Sequence, residues 1–280
     1  MRRRRGGGYP PPLKRLGQHF LVDSSVLKRI AAALELTGSE TVVEIGPGRG
    51  ELTDLLRPHA ARLIAIEIDR ALAAMLRERY AGDPVVEIVE ADVLEMDPVA
   101  LAGGPYVLAG NVPYYITTPI LFQSLKSPQP LRSVFLVQRE VAERIVAPPD
   151  SEGYGALSVN VQALARPELL FTVPAAAFRP APAVESAVIR LTPREEPLVA
   201  PGQSRAFQKF VQALFGMRRK QLQRVLRSVY PDLGGSAGAL LESHGWTPAA
   251  RPETLSPAEL ARLFAVVSDI RRAERASPEN

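Results

Sequence analysis

The residues of this sequence best suited to chemistry are Asn111, Val112, Pro113 and Tyr114, at the end of the apolar run 106–109. An amide, a proline and an aromatic ring together suit a planar amine, whose lone pair is delocalised into its ring. We predict that the Asn111 side-chain oxygen and the Pro113 carbonyl accept hydrogen bonds from that amine and localise its lone pair, since proline fixes the backbone direction. Tyr114 can stack on an unpaired base. An ordinary turn with a partly buried tyrosine is the alternative.

A glycine-rich turn follows the predicted strand 41–45 and precedes a helix. It contains Gly46, Gly48 and Gly50, so backbone can approach a ligand closely there. The spacing G-x-G-x-G differs from the dinucleotide pattern G-x-G-x-x-G, and Glu44 stands just before it. A carboxylate at this point repels a pyrophosphate but suits a ligand that carries an ammonium or sulfonium charge.

Two acidic residues end the next two predicted strands. Glu67 lies about 20 residues beyond the glycine turn, where an acid commonly accepts ribose hydroxyls. Asp92 can accept the exocyclic amine of an adenine. An exposed acid at a helix start and an N-cap are the respective alternatives. Together with Gly46 and Asn111 these residues lie at successive strand ends, and they predict one adenosine pocket without a phosphate cradle. S-adenosylmethionine fits this pocket better than a nicotinamide dinucleotide.

The elements that position these residues alternate between strand and helix, which predicts an α/β fold with a parallel sheet. Helical spacing covers 22–36, with Asp23 or Ser24 as its cap. The segments 169–173 and 186–191 are predicted to form an antiparallel pair at the sheet edge, with a proline-rich loop over 174–182. Beyond a linker at 192–204, apolar residues return at helical spacing and predict a helical second domain. The strands are predicted at 41–45, 63–66, 85–89, 106–109 and 134–137.

Composition excludes several classes of protein. Of 280 residues, 46% are hydrophobic and 23% charged, and no run of about 18 apolar residues could span a bilayer. The arginine-rich start of the chain lacks the apolar stretch of a secretory signal. The absence of cysteine excludes disulfides and thiolate chemistry and fits a reducing cytoplasm. The three histidines have no metal-ligand spacing, so we expect no metal.

Positive charge is unevenly distributed along the chain. Seven basic residues and no acidic one occur between Arg205 and Arg227, including the cluster Arg218, Arg219 and Lys220. This is the pattern of a nucleic-acid-binding surface, although a solvated helix face is the alternative. A basic N-terminal arm, predicted to be disordered over 1–12, favours RNA.

Taken together, the sequence resembles the ribosomal RNA adenine dimethyltransferases, and most closely their small-subunit branch. The similarity covers nearly the whole chain, although the family usually has Leu at Val112 and often Asn at His19. The segments that carry it are Gly17–Leu21, the glycine turn, Asn111–Pro119, Gln138–Val141, Tyr154–Val159, Phe178–Pro180, Val184–Val188 and Phe215–Lys220.

The resemblance implies a Rossmann-like class I methyltransferase sheet over 13–193 and a smaller all-α domain over 203–280 that binds RNA. It implies that His19 and Leu21 also line the cofactor site, and that Phe178 stacks on the target base opposite Tyr114. The implied reaction dimethylates two adjacent adenosines in a hairpin near the 3′ end of 16S rRNA, within the immature small subunit. We expect a monomer. The alternatives are a 23S rRNA dimethyltransferase and a non-catalytic RNA-binding assembly factor.

Overall fold

The structure is a computed structural model that describes residues 9–13 and 17–276. Most of the predicted basic arm, residues 1–8, lies outside the described residues, and 9–12 form no helix or strand. The chain forms two compact units, one comprising 1–142 with 168–193 and the other comprising 143–167 with 194–280. The sequence predicted a single boundary at residue 193, which places 143–167 in the first domain. In the structure this segment belongs to the second unit, because its helix packs on C-terminal helices.

The first unit is built around a seven-stranded sheet in which strands and helices alternate. Its elements are β1 (Phe20–Leu21), α1 (Ser24–Ala33), β2 (Thr41–Ile45), α2 (Glu51–Leu56), β3 (Arg62–Glu67), α3 (Arg70–Arg79), β4 (Val86–Glu90), α4 (Pro98–Ala102), β5 (Tyr106–Asn111), α5 (Thr117–Ser124) and β6 (Arg132–Gln138). The chain then continues through α6 (Arg139–Val146), α7 (Ala156–Leu164), β7 (Ala165–Val173), β8 (Phe178–Arg179) and β9 (Ser186–Pro193). The α/β fold class and all five predicted parallel strands are confirmed.

The strand order of the sheet is β4-β3-β2-β5-β6-β9-β7. Strands β2 to β6 run parallel to one another, and β9 runs antiparallel to β6. The order reverses between β2 and β5, so a crevice opens at the carboxyl ends of these strands. Both faces of the central strands are buried, which is why they read as continuous apolar runs in the sequence.

The segment 174–182, predicted as loop, contains the short strand β8. It pairs antiparallel with β1, with Leu21 opposite Phe178. The proline content of this segment suggested an irregular loop, but the β1 partner, more than 150 residues earlier, supplies the hydrogen bonds that local sequence does not reveal. The N-terminus of α1 follows the prediction, because the Asp23 carboxylate accepts from the backbone of Ser25 and Val26 at 2.8 and 3.2 Å.

The second unit is helical in the part of 194–276 that the structure describes. Its helices there are α8 (Ser204–Phe215), α9 (Leu222–Val229), α10 (Ala237–Ser243) and α11 (Pro257–Ala276). An aromatic cluster forms its core, with Phe207 and Phe264 edge to face at 5.5 Å. The buried Tyr154 hydroxyl donates to the Leu255 carbonyl at 2.8 Å. Among the described residues, no helix is both long enough and apolar enough to cross a membrane.

Candidate active site

A cleft in the first unit opens at the carboxyl ends of β2, β3, β4 and β5. Its empty volume is about 1110 Å³ when counted out to open solvent. The loops after these parallel strands converge here because the sheet places all their carboxyl ends along one edge. The cleft is lined by every cofactor and catalytic residue predicted from the sequence: His19, Leu21, Gly46, Glu67, Asp92, Asn111, Pro113 and Tyr114.

The glycine turn brings backbone to the wall of the cleft. Gly46 and Gly48 have φ values of +67° and +60°, a region that other residues rarely adopt. A Cβ atom on Gly46 would lie 3.4 Å from the Asn111 carbonyl oxygen, and one on Gly48 would lie 3.1 Å from the Phe20 ring. Larger residues would therefore strain the turn and push it away from its neighbours.

Glu67, at the end of β3, is buried and held by backbone donors. Its two oxygens accept from the N–H groups of Gly48 and Asp69 at 3.0 and 2.9 Å. Burial raises the pKa of Glu67 above its ordinary value, against the effect of these hydrogen bonds. Each carboxylate oxygen has a second lone pair, so the side chain can still accept two hydroxyl donors, as a ribose would supply.

Asp92, which follows β4, caps the next turn, and its predicted contact with an adenine amine stays a prediction. Its Oδ1 accepts from the Leu94 backbone N–H at 2.9 Å and caps the following turn. Its Oδ2 accepts no hydrogen bond from a described residue and remains available to an exocyclic amine. Val93 and Ile68 also line the cleft, where they offer apolar contacts to a flat ring.

Glu44, which precedes the glycine turn, is a buried carboxyl group in the wall of the cleft. Its side chain is 2% exposed and accepts from the Thr53 hydroxyl at 2.7 Å. Burial, reinforced by the negative charges of Glu67 and Glu51, raises the pKa of Glu44 to about 8. No lysine or arginine lines the cleft within the described part of the chain. A cationic ligand would therefore stabilise the ionised form of Glu44.

The Asn111 side chain is oriented by a residue far away in the sequence. Its Nδ2 donates to the His19 carbonyl oxygen at 3.3 Å. The Oδ1 atom accepts no hydrogen bond from a described residue, so it is available as an acceptor, and its hydrogen bond to a substrate amine stays a prediction.

The prediction for the Pro113 carbonyl requires a correction. This oxygen already accepts from the Ile116 backbone N–H at 3.1 Å and from the Thr117 hydroxyl at 3.3 Å. Because a carbonyl oxygen has two lone pairs, it is not available to a substrate amine in this structure. The neighbouring Val112 carbonyl accepts from no described residue, and Val112 lines the cleft. Sequence inspection could not separate these two carbonyls, because their difference arises from the turn that follows.

Tyr114 is fixed by two residues from other parts of the chain. Its hydroxyl forms a 2.6 Å hydrogen bond with the Ser186 hydroxyl, and its ring lies nearly parallel to the His19 imidazole at 6.0 Å. The His19 ring is itself fixed, because its Nδ1 lies 2.8 Å from the Pro180 carbonyl oxygen. Burial raises the pKa of Tyr114, so it remains a neutral phenol. Ser186 was not among the predicted site residues, because a serine at this position has no motif of its own in the sequence.

The predicted base-stacking role of Phe178 also requires a correction. Phe178 is 0% exposed, belongs to the hydrophobic core and does not line the cleft. Its pairing with Leu21 in the small sheet turns the ring into that core. In this structure Phe178 therefore cannot stack on an incoming base.

The basic cluster lies in the second unit, and its members differ in their contacts. Arg218 pairs with Glu253 at 3.3 Å. Arg219 and Lys220 are exposed and form no ion pair within the described residues. Arg224 and Arg227 are likewise exposed on α9. These four side chains are therefore available to contact phosphates. Arg218 is also exposed, but it is paired with Glu253.

Comparison with known proteins gives a consistent picture. The model of the family described as "Ribosomal RNA adenine dimethylase" matches residues 13–268. The chain is 43% identical to "Ribosomal RNA small subunit methyltransferase A" of Acidobacterium capsulatum, over 91% of each chain. It is also 43% identical to the protein of the same name from Nitratidesulfovibrio vulgaris, over 92% of this chain and 98% of that protein.

Two solved structures are similar over most of the chain. The crystal structure of the 23S rRNA methyltransferase ErmE has 31% identity and a TM-score of 0.68, over 89% of this chain and 99% of that chain. A dimethyladenosine transferase from Plasmodium falciparum has a TM-score of 0.79 over 91% of this chain and 98% of that chain. Its 24% identity makes it evidence for the fold alone.

Proposed function

This chain belongs to the ribosomal RNA adenine dimethylase family, and from that premise we propose that it dimethylates the N6 amines of two adjacent adenosines in a hairpin near the 3′ end of 16S rRNA. The substrate is the immature small ribosomal subunit, so the reaction belongs to ribosome biogenesis. The observation that carries this proposal is the orientation of Asn111, whose amide nitrogen donates to the His19 carbonyl while its oxygen accepts from none of the described residues.

The residues of the cleft fit S-adenosylmethionine, which would supply the methyl group. Glu67 would hold the ribose hydroxyls, and Asp92 Oδ2 would accept the adenine amine. Because Gly46 and Gly48 have no Cβ atom, the ligand can approach the backbone of the glycine turn closely. The buried Glu44, whose pKa is raised to about 8, favours a ligand with positive charge when it is ionised. His19 and Leu21 complete the lining.

The chain activates the target amine by positioning. Asn111 Oδ1 and the Val112 carbonyl accept one N–H each, which draws the nitrogen toward tetrahedral geometry and localises its lone pair. Tyr114, held by Ser186, stacks on the base and fixes the plane of attack. Pro113 fixes the direction of the turn through its ring. Such positioning supplies most of the acceleration, because the amine loses its proton only after attack.

The helical unit supplies RNA affinity through Arg219, Lys220 and their exposed neighbours on α9. Sequence identity supports the small-subunit substrate over large-subunit RNA, because the chain is 43% identical to the small-subunit relatives and 31% identical to ErmE. We also propose that the protein acts as a monomer in the cytoplasm, without a metal.

The test is methyl transfer from labelled S-adenosylmethionine to three acceptors: unmethylated small subunits, naked small-subunit RNA and large-subunit RNA. Dimethyladenosine in the small-subunit particle alone supports the proposal. Methylation of isolated large-subunit RNA would support a 23S enzyme, and tight RNA binding without transfer would support a non-catalytic assembly factor. Asn111→Ala is expected to lower kcat about 100-fold or more while RNA binding is retained. Full transfer by this variant would refute the role of Asn111.

A further inference from the structure

Tyr115, directly after the Tyr114 that lines the cleft, is a large aromatic side chain left in solvent. It is 58% exposed and lies in the short helical turn Tyr114–Ile116. Its hydroxyl forms no hydrogen bond with a described residue. This turn therefore presents two successive rings, of which Tyr114 is half-buried in the wall of the cleft and Tyr115 is exposed.

One side of the Tyr115 ring nevertheless lies close to the backbone of Gly17. A Cβ atom built on Gly17 would lie 3.6 Å from Cδ1 and 3.8 Å from Cε1 of Tyr115, so the ring lies close to the Gly17 backbone. Gly17 has a φ of +57°, which a residue with a side chain rarely adopts. Two residues later, His19 lies parallel to Tyr114. One segment, 17–19, thus supports both tyrosines of the turn.

An exposed and supported ring beside a nucleobase site matches the way in which proteins bind unpaired RNA. Bases of single-stranded segments stack on aromatic side chains, and this contact tolerates any base because each has a π-face. The ring predicted for stacking, Phe178, is fully buried. When the target adenosine is in the cleft against Tyr114, the next nucleotide must lie beside the same turn, where Tyr115 is the exposed aromatic ring.

We propose that Tyr115 is an RNA-binding residue whose ring stacks on the base that flanks the target adenosine. This proposal rests on the proposed function, because it requires an adenosine in an unpaired segment as the substrate. The contact orders the strand on one side of the reacting nucleotide. It contributes to binding of the RNA and not to binding of the methyl donor.

The first test compares Tyr115→Ala, Tyr115→Leu and Tyr115→Phe in the full chain. The Ala and Leu variants are expected to raise the Kd for unmethylated small subunits about tenfold, within the range measured for one stacked base. The Phe variant keeps the ring and is expected to stay within about twofold of the wild type. Leu131→Ala is the matched control, because Leu131 is also exposed but lies at the amino end of β6, away from the cleft.

The second test removes the flanking base instead of the ring. Small subunits are reconstituted with RNA that carries an abasic nucleotide on the 5′ side or on the 3′ side of the target adenosine. If Tyr115 stacks on the flanking base, the tenfold effect of Tyr115→Ala disappears with one of these two RNAs. If the variant binds wild-type particles normally, or its defect is unchanged by both abasic sites, the proposal is refuted.

Binding of S-adenosylhomocysteine, measured by calorimetry, is expected to be unchanged in all three Tyr115 variants, which shows that the cleft is intact. The proposed function is judged separately, by whether the wild-type protein forms dimethyladenosine in small subunits. Wild-type methylation with an unaffected Tyr115→Ala variant would reject the stacking role alone.

Discussion

Substitution of Glu44 by Gln tests whether ionisation of this buried carboxyl group destabilises the fold. The folded-state pKa of Glu44 is about 8, above its ordinary value of 4.5, so the folded protein binds the proton more tightly than the unfolded chain. Stability is therefore retained below about pH 4.5 and is lost as the pH rises toward about 8. Gln cannot ionise, and its side-chain oxygen can still accept from the Thr53 hydroxyl, as Glu44 does at 2.7 Å.

The size of the effect follows from the pKa difference. Each pH unit in the interval costs about 1.4 kcal/mol, so complete ionisation between pH 4.5 and about 8 lowers the free energy of unfolding by about 5 kcal/mol. Because Glu44 is 2% exposed, solvent screening reduces this value little. Glu44→Gln is thus expected to be close to wild type at pH 5 and more stable by up to about 5 kcal/mol at pH 9.

The assay is urea unfolding from pH 5 to pH 9, without added cofactor, for the wild type and the variant. Other acidic groups lie near Glu44, namely Glu51, Glu67 and Asp54, but they are present in both proteins, so their effects largely cancel in the difference. Glu140→Gln removes an exposed carboxylate and should show no such pH trend. A stability difference that stays flat between pH 5.5 and pH 9 would refute the burial argument.

Three further predictions concern binding of S-adenosylmethionine, the hydrogen bond of Tyr114 and binding of RNA. S-adenosylmethionine should bind the wild type more tightly as the pH rises from 7 to 9, because a cation favours ionised Glu44; calorimetry should show a smaller trend in Glu44→Gln. Ser186→Ala and Tyr114→Phe should each lower kcat severalfold, and the double variant no further, because both remove one hydrogen bond; additive losses in single-turnover rates would contradict this coupling. Arg219→Ala with Lys220→Ala should weaken RNA binding and reduce its salt-dependence slope by about 1.5; an unchanged slope would assign these exposed residues no phosphate contact.

The parallel sheet was predictable because its central strands are apolar runs with turns between them. The predicted strand 41–45 coincides with β2, and 106–109 lies within β5. Segment 174–182 was predictable only as loop, since the pairing of β8 with β1 joins positions far apart in the chain. The grouping of 143–167 with the C-terminal helices is likewise a property of packing that leaves no local mark in the sequence.

Part of the cleft lining was predictable because Gly46, Glu67, Asp92 and Asn111 lie at or just after the ends of parallel strands, which end along one edge. His19 and Leu21 were predicted only from the family resemblance. The sequence could not predict which individual oxygen atoms are available to accept a hydrogen bond from a ligand. Pro113 and Val112 are neighbours in one turn, yet only the Pro113 carbonyl accepts from Ile116 and Thr117. Phe178 fits the pattern of a stacking residue, but burial removes it from the cleft.

The sequence by itself determined the fold class, the family and the residue types at the carboxyl edge of the sheet, because hydrophobic periodicity and motif spacing are local properties of the chain. Only the tertiary structure decided which oxygen atoms of residues 111–113 accept hydrogen bonds within the described protein and which are available to a ligand. It also decided that Tyr114 is held by Ser186 and His19, and that burial raises the pKa of Glu44 to about 8. Hydrogen-bond partners and desolvation depend on groups brought together from distant parts of the chain, so they are fixed only when the chain folds.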